Sequence, residues 1–136
     1  MQTGLQAGKT RWTHYRTGYH FVWIPKYRRK VLTGEIAAAT RRLIGEACER
    51  NGLTLLAVET DADHVHCFVS APPRWSPAQI ANVLKGYTSR VLREEFPDLQ
   101  KACGKDQLWT QSYYVGTVGD VSADTVRRYI LECQGR

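Results

Sequence analysis

Two histidines one residue apart, His64 and His66, stand in the run Asp63-His64-Val65-His66-Cys67-Phe68-Val69. In an extended strand side chains alternate between faces, so residues two apart project to the same side. His64, His66 and Phe68 then share one face, and Val65, Cys67 and Val69 share the other. The second set is apolar and is expected to meet helices. Two imidazoles are left on an open face, close enough to grip one metal ion. The same pleat points Cys67 away from them, so a third ligand has to come from elsewhere.

A second reactive group lies near the C-terminus. The segment Val126-Arg127-Arg128-Tyr129-Ile130-Leu131-Glu132-Cys133-Gln134 reads as a helix on which Tyr129 shares a face with Val126, Glu132 and Cys133. A phenol has an unperturbed pKa near ~10 and is a poor nucleophile at neutral pH. Nearby positive charge favours phenolate, and a divalent ion polarises a phosphate under attack. Arg127 and Arg128 flank Tyr129 in sequence, although neighbours on a helix need not face the same way. The competing reading of Tyr129 is an apolar core position on an amphipathic helix.

The elements that must position these groups follow from pattern. Tyr19-His20-Phe21-Val22-Trp23-Ile24, bounded by Gly18 and Pro25, is aromatic and β-branched and predicts a strand. Apolar residues at Ile36, Ala39, Leu43, Ile44 and Ala47 recur at helical spacing between Gly34 and Arg50, and Asn51-Gly52 supplies the stop. Two strand-like runs, Leu53 to Thr60 and His64 to Ala71, are separated by Asp61-Ala62-Asp63, a hairpin signal. Ser76-Pro77 is an N-cap with proline at the first helical position. That helix is expected to run to Phe96 with Ile80, Val83, Leu84, Tyr87, Val91 and Leu92 inward, and a polar loop through Cys103-Gly104-Lys105 follows it. Tyr113 to Val118 predicts a fourth strand, and Ser122 caps a last helix, with Val121 and Val126 at staple positions.

The resulting order, β-α-β-β-α-β-α, predicts an α+β fold. Its first six elements match the split βαβ, ferredoxin-like or RRM-like arrangement, with helices on one face of an antiparallel sheet. The last helix carries the tyrosine. The other face of the sheet is expected to stay free for a partner or a site.

Bulk composition agrees with one compact domain over residues 1–136, with Met1 to Thr10 as a flexible tail. A net charge of +6 points to a polyanionic partner, nucleic acid first and an anionic membrane surface second. No apolar run suits a signal peptide or a membrane span. Cys48, Cys67, Cys103 and Cys133 form no C-x-x-C pair, which disfavours a zinc ribbon or disulfide scaffold and fits a reducing cytoplasm. Aromatic and basic residues interleave at Arg11-Trp12, Tyr15-Arg16, Tyr27-Arg28-Arg29-Lys30 and Arg74-Trp75. Such patches can pair phosphates and stack unpaired bases. Lys26, Arg28, Arg29 and Lys30 are the first candidates for DNA contact. His14 and His20 have no role in this reading.

Taken together, several stretches in order resemble the small HUH single-tyrosine transposases of insertion sequences that move as single-stranded DNA, the IS-two-hundred-like transposases. They are Tyr19 to Arg28, Asp63-His64-Val65-His66, Leu84-Lys85-Gly86-Tyr87-Thr88-Ser89-Arg90, Leu108-Trp109-Thr110 with Ser112-Tyr113-Tyr114-Val115, and Val126-Arg127-Arg128-Tyr129-Ile130. The resemblance spans about Tyr15 to Gln134. It implies that His64 and His66 are the HUH metal ligands, that Mg2+ or Mn2+ is the metal, and that Tyr129 is the nucleophile. It further implies a homodimer acting on single-stranded DNA with hairpins, through a 5′-phosphotyrosine bond. The family pattern commonly places glutamine four residues after the tyrosine as third ligand. Here that position is Cys133, and Gln134 lies one further on, rotated from the face of Tyr129 by ~100°. Glu132 faces better and is a hard oxygen ligand suited to magnesium, so Gln134 and Glu132 both stand as third-ligand candidates. Two other readings compete: a non-catalytic RRM-like module that binds single strands, and a domesticated or plasmid-type HUH nuclease sharing the chemistry.

Overall fold

The computed structural model describes residues 8–9, 14–15, 18–105 and 107–118. The first elements are two short strands, β1 (Gly8–Lys9) and β2 (His14–Tyr15), paired antiparallel. Gly8 and Lys9, expected in the loose tail, are therefore paired. Strand β3 (Gly18–Trp23) sends Phe21 and Trp23 into the core, as the alternation of a strand requires. Helix α1 (Gly34–Arg50) buries Ala37, Leu43, Ile44, Ala47 and Cys48 along one stripe. It ends where Gly52 takes a φ of +69°, a conformation glycine adopts without steric cost.

Strands β4 (Thr54–Asp61) and β5 (His64–Ser70) form the expected hairpin, with Ala62-Asp63 as its turn. Helix α2 (Pro77–Glu95) opens on a full capping box: Gln79 N–H donates to Ser76 Oγ at 3.1 Å, and Ser76 N–H donates to Gln79 Oε1 at 2.9 Å. Ile80, Leu84 and Leu92 are buried as the periodicity demands, and Val83, Tyr87 and Val91 are half-buried. The polar loop expected next is in part a further helix, α3 (Pro97–Cys103). Its inward side consists only of Leu99 and Cys103; one such pair in two turns is too little to show a period. Strand β6 (Tyr114–Val118) completes the described chain. The Ser122-capped helix lies outside the described residues.

The main sheet has the order β4-β5-β3-β6 with every neighbouring pair antiparallel. This is the split βαβ arrangement predicted from sequence. Val65, Cys67 and Val69 join Phe21, Trp23, Leu43, Ile44, Ile80 and Leu84 in one cluster between sheet and helices. Burial of each large apolar side chain there is worth about 1.5–3 kcal/mol.

The opposite face departs from expectation. It is not open at its centre: His20 and Phe68 are fully buried and His66 is 4 % exposed. The register explains their grouping, because His20 lies directly across from Phe68, and Val22 across from His66. Three aromatic rings thus occupy adjacent positions on a face that strand alternation alone marked as free.

Candidate metal centre

Strand β5 carries His64 and His66 on one face, and the hairpin brings a carboxylate to them. A two-residue turn places Asp61 across from His64 and Glu59 across from His66. Asp61, His64 and His66 each offer a ligand atom, and these atoms lie within 4.8 Å of one another. The rings of His64 and His66 meet edge to face at 4.8 Å between centroids. In the sequence Asp61 stands only as part of a polar break. The signal that finds it is the turn length, since a two-residue turn fixes which residue faces His64.

The two imidazoles sit in different surroundings. His64 has Nε2 3.0 Å from Asp61 Oδ2 and Nδ1 2.7 Å from Asp63 Oδ1. Asp63 Oδ2 accepts from Arg28 Nη2 at 3.1 Å. The hydrogen bond from His64 holds the Asp63 carboxyl below its usual range, against the opposing effect of burial and with further help from the Arg28 charge. His66 is pushed down by burial and secondarily by the charge of His64, with Asp61 opposing. Neither ring nitrogen of His66 has a hydrogen-bond partner among the described residues, although both are buried. A buried neutral imidazole with an unused lone pair is costly unless something accepts it. Beside a carboxylate and a second imidazole, a divalent cation fits that requirement.

His20 forms a wall for this site. Its ring stacks against those of His66 and Phe68, at centroid distances of 5.7 and 5.0 Å and within 12° and 16° of parallel. Burial, aided by the His66 charge, pushes its pKa down to about 4, so it is neutral at physiological pH. Tyr114 meets it edge-on at 6.0 Å from β6. The Tyr114 ring lies over Gly116, where a Cβ would come within 2.9 Å of the phenol oxygen.

The basic loop is held against the same hairpin. Pro25 bridges to Trp109, Lys26 N–H donates to the Leu108 carbonyl at 2.8 Å, and Leu32 N–H donates to the Ala62 carbonyl at 3.0 Å. Between these anchors Tyr27 and Arg28 adopt φ of 62° and 51°, a left-handed conformation uncommon for residues other than glycine. Arg28 is thereby turned onto Asp63. Tyr27 is 68 % exposed, with Lys26 Nζ 5.4 Å and the Arg29 guanidinium 5.1 Å from its ring centre. Lys30 is exposed.

Two more of the singled-out stretches turn out to brace the scaffold. Lys85 Nζ donates to the carbonyls of Thr110, Gln111 and Ser112 at 2.6, 3.1 and 3.3 Å. Trp109 Nε1 donates to Thr88 Oγ1 at 2.9 Å. These bonds tie α2 to the segment leading into β6, and they fix Trp109 under the basic loop. Tyr129, Glu132 and Gln134 lie outside the described residues.

Residues 13–133 match the family model described as IS200-like transposase. The chain belongs to the IS200-like transposase family. It is 32 % identical over 126 residues to the ISDra2 transposase TnpA of Deinococcus radiodurans, covering 93 % of this chain and 90 % of that protein. It is 37 % identical over 111 residues to the IS200 transposase of Salmonella typhimurium, covering 82 % and 73 %. Among solved structures, a transposase from D. radiodurans R1 superposes with a TM-score of 0.76 at 32 % identity, over 92 % of this chain and 96 % of that one. A REP-associated tyrosine transposase bound to a REP hairpin shares the fold, with a TM-score of 0.58 at 14 % identity over 92 % and 68 %. Among the described residues of this IS200-like transposase, no helix is long and apolar enough to cross a membrane.

Proposed function

We propose that this transposase cuts and rejoins single-stranded DNA at insertion-sequence ends, with Tyr129 as nucleophile and Asp61, His64 and His66 as the protein ligands of Mg2+ or Mn2+. The observation that carries the reading is the convergence of two imidazoles and a carboxylate, one imidazole buried with both nitrogens unpaired among the described residues. Asp61 supplies the hard oxygen that sequence sought at Glu132 or Gln134, either of which would add a further oxygen. When bound, the ion would polarise the scissile phosphate and stabilise its developing charge.

The chain's own chemistry is a transesterification. The Tyr129 oxygen attacks phosphorus, the bond from phosphorus to the 3′-oxygen breaks, and that oxygen leaves as a 3′-hydroxyl. The 5′-phosphate is held as a phosphotyrosine ester. A second 3′-hydroxyl then attacks the ester, reseals the DNA and returns the tyrosine. Each step exchanges one phosphodiester for another, so no nucleotide cofactor is consumed. A homodimer and DNA hairpins complete the proposal; hairpin substrates are supported by the REP hairpin held by the fold relative. The net charge of +6 and the basic loop suit such a partner.

The test is incubation with labelled single-stranded DNA from the element's own ends, with and without Mg2+, beside Tyr129→Phe and His66→Ala. A covalent protein–DNA adduct that requires the metal and disappears in both variants is expected. Binding without any adduct in the wild type would leave the non-catalytic single-strand module as the reading.

A further inference from the structure

We propose that Asp63 and Arg28 are positioning residues for His64, fixing which of its nitrogens is offered to the metal. This deepens the metal-centre reading above and rests on it. The two carboxylate oxygens of Asp63 have separate partners: Oδ1 is 2.7 Å from His64 Nδ1, and Oδ2 is 3.1 Å from Arg28 Nη2. A carboxylate at Nδ1 keeps the proton on that nitrogen and leaves the Nε2 lone pair for a ligand, with the ring held in one orientation. Nε2 is the nitrogen that faces Asp61, at 3.0 Å. Arg28 in turn sets the rotation of the carboxylate by gripping its other oxygen.

The backbone is built to deliver these contacts. Asp63 belongs to the two-residue turn between β4 and β5, where the chain leaves the ladder just before His64. Arg28 reaches it from a stretch in which Tyr27 and Arg28 both take positive φ, a local strain that the surrounding anchors must over-determine. Those anchors are present on both sides, at Lys26 to Leu108 and at Leu32 to Ala62. An exposed ion pair alone would add little stability, which leaves stability a poor reason for two left-handed residues here. Orienting a ligand is a sufficient one.

Orientation and simple charge give opposite signs, which makes the idea decidable. Mn2+ affinity would be measured by electron paramagnetic resonance on the full chain without DNA, for wild type, Asp63→Ala, Asp63→Asn and Arg28→Gln. Asp63→Ala is expected to weaken binding about 10–100-fold. Asp63→Asn should retain most of the affinity, because its amide oxygen still accepts from Nδ1–H although the charge is gone. Arg28→Gln should weaken Mn2+ binding, whereas removing a positive charge near a cation would by Coulomb's law strengthen it. Equal losses in Asp63→Ala and Asp63→Asn, or tighter binding by Arg28→Gln, would overturn the proposal in favour of bulk electrostatics. Wild-type affinity in Asp63→Ala would overturn it while leaving the metal centre intact. A wild type that binds no Mn2+ would remove the metal centre itself, and the proposal with it.

Discussion

The rings of His20 and His66 lie 5.7 Å apart and within 12° of parallel on adjacent strands, both buried. The stack packs against the His66 ring, which His64 also meets edge to face. Replacing His20 with alanine should open a cavity beside a metal ligand. A loss of roughly 3–5 kcal/mol in stability is expected by analogy with large aromatic truncations, together with severalfold weaker Mn2+ binding. His20→Phe keeps the ring and should hold Mn2+ affinity near wild type. Denaturant melts and Mn2+ titrations of both variants check this; a phenylalanine variant as impaired as the alanine one would give His20 a polar role instead.

The same residue predicts a pH dependence. Its pKa of about 4 in the fold lies below the value of 6.5 for free histidine. The unfolded chain therefore binds a proton at a pH where the folded chain does not. The stability contributed by neutral His20 is complete above pH 6.5 and is lost as pH falls towards 4. Thermal midpoints measured across that window should drop less steeply for His20→Phe than for wild type.

The Asp61 carboxylate distinguishes this cluster from a bare histidine pair. Asp61→Asn leaves a weaker neutral oxygen in place, and Asp61→Ala leaves none. Mn2+ affinity should fall in the order wild type, asparagine, alanine, and adduct formation should follow the same order at limiting metal. Isothermal titration with Mn2+ reads the first and gel-shifted adduct the second. An alanine variant with wild-type values would remove Asp61 from the ligand set and return the third position to Glu132 or Gln134.

Much of this was legible in sequence because it depends on local periodicity. The period of two in Asp63 to Val69 separated Val65, Cys67 and Val69 from His64, His66 and Phe68, and the core contains the first set as expected. The pairing of strands followed from element order. Register did not: Asp61 meets His64 as its ladder partner across the turn, and His20 reaches the His66 ring only because the β3–β5 register sets it across from Phe68. No pattern within either strand encodes those meetings. Arg28 shows the same limit: its place in a basic run marks it for DNA contact, and its bond to Asp63 lies beyond what that local pattern encodes.

Cys67 tests the face assignment directly. It is buried in the apolar cluster between sheet and helices, and burial, with the neighbouring Cys48 thiol, pushes its pKa well up. The Cys48 thiol is pushed up to about 12 by burial. Both remain protonated and poorly reactive at pH 8, because the thiolate is the reactive form. Peptide mapping after iodoacetamide treatment should find Cys48 and Cys67 unmodified in the native protein and modified after unfolding. Cys67→Ala should cost about 0.5–3 kcal/mol of stability and leave Mn2+ affinity unchanged.

Tyr27 offers the sharpest test of the basic loop. Its exposed ring is flanked by Lys26 and Arg29, an arrangement in which an unpaired base can stack while its phosphates meet the two cations. Tyr27→Ala should weaken binding to single-stranded DNA by about 1–3 kcal/mol, the usual worth of one base–aromatic contact. Because stacking involves no counterion release, the slope of log affinity against log salt should not change. Lys26→Ala should lower the magnitude of that slope by about one phosphate's worth. Fluorescence anisotropy at several salt concentrations separates the two effects. A flat response to Tyr27→Ala, with the lysine effect intact, would reduce the loop to an electrostatic contact and return Tyr27 to its one remaining role, placing Arg28 against Asp63.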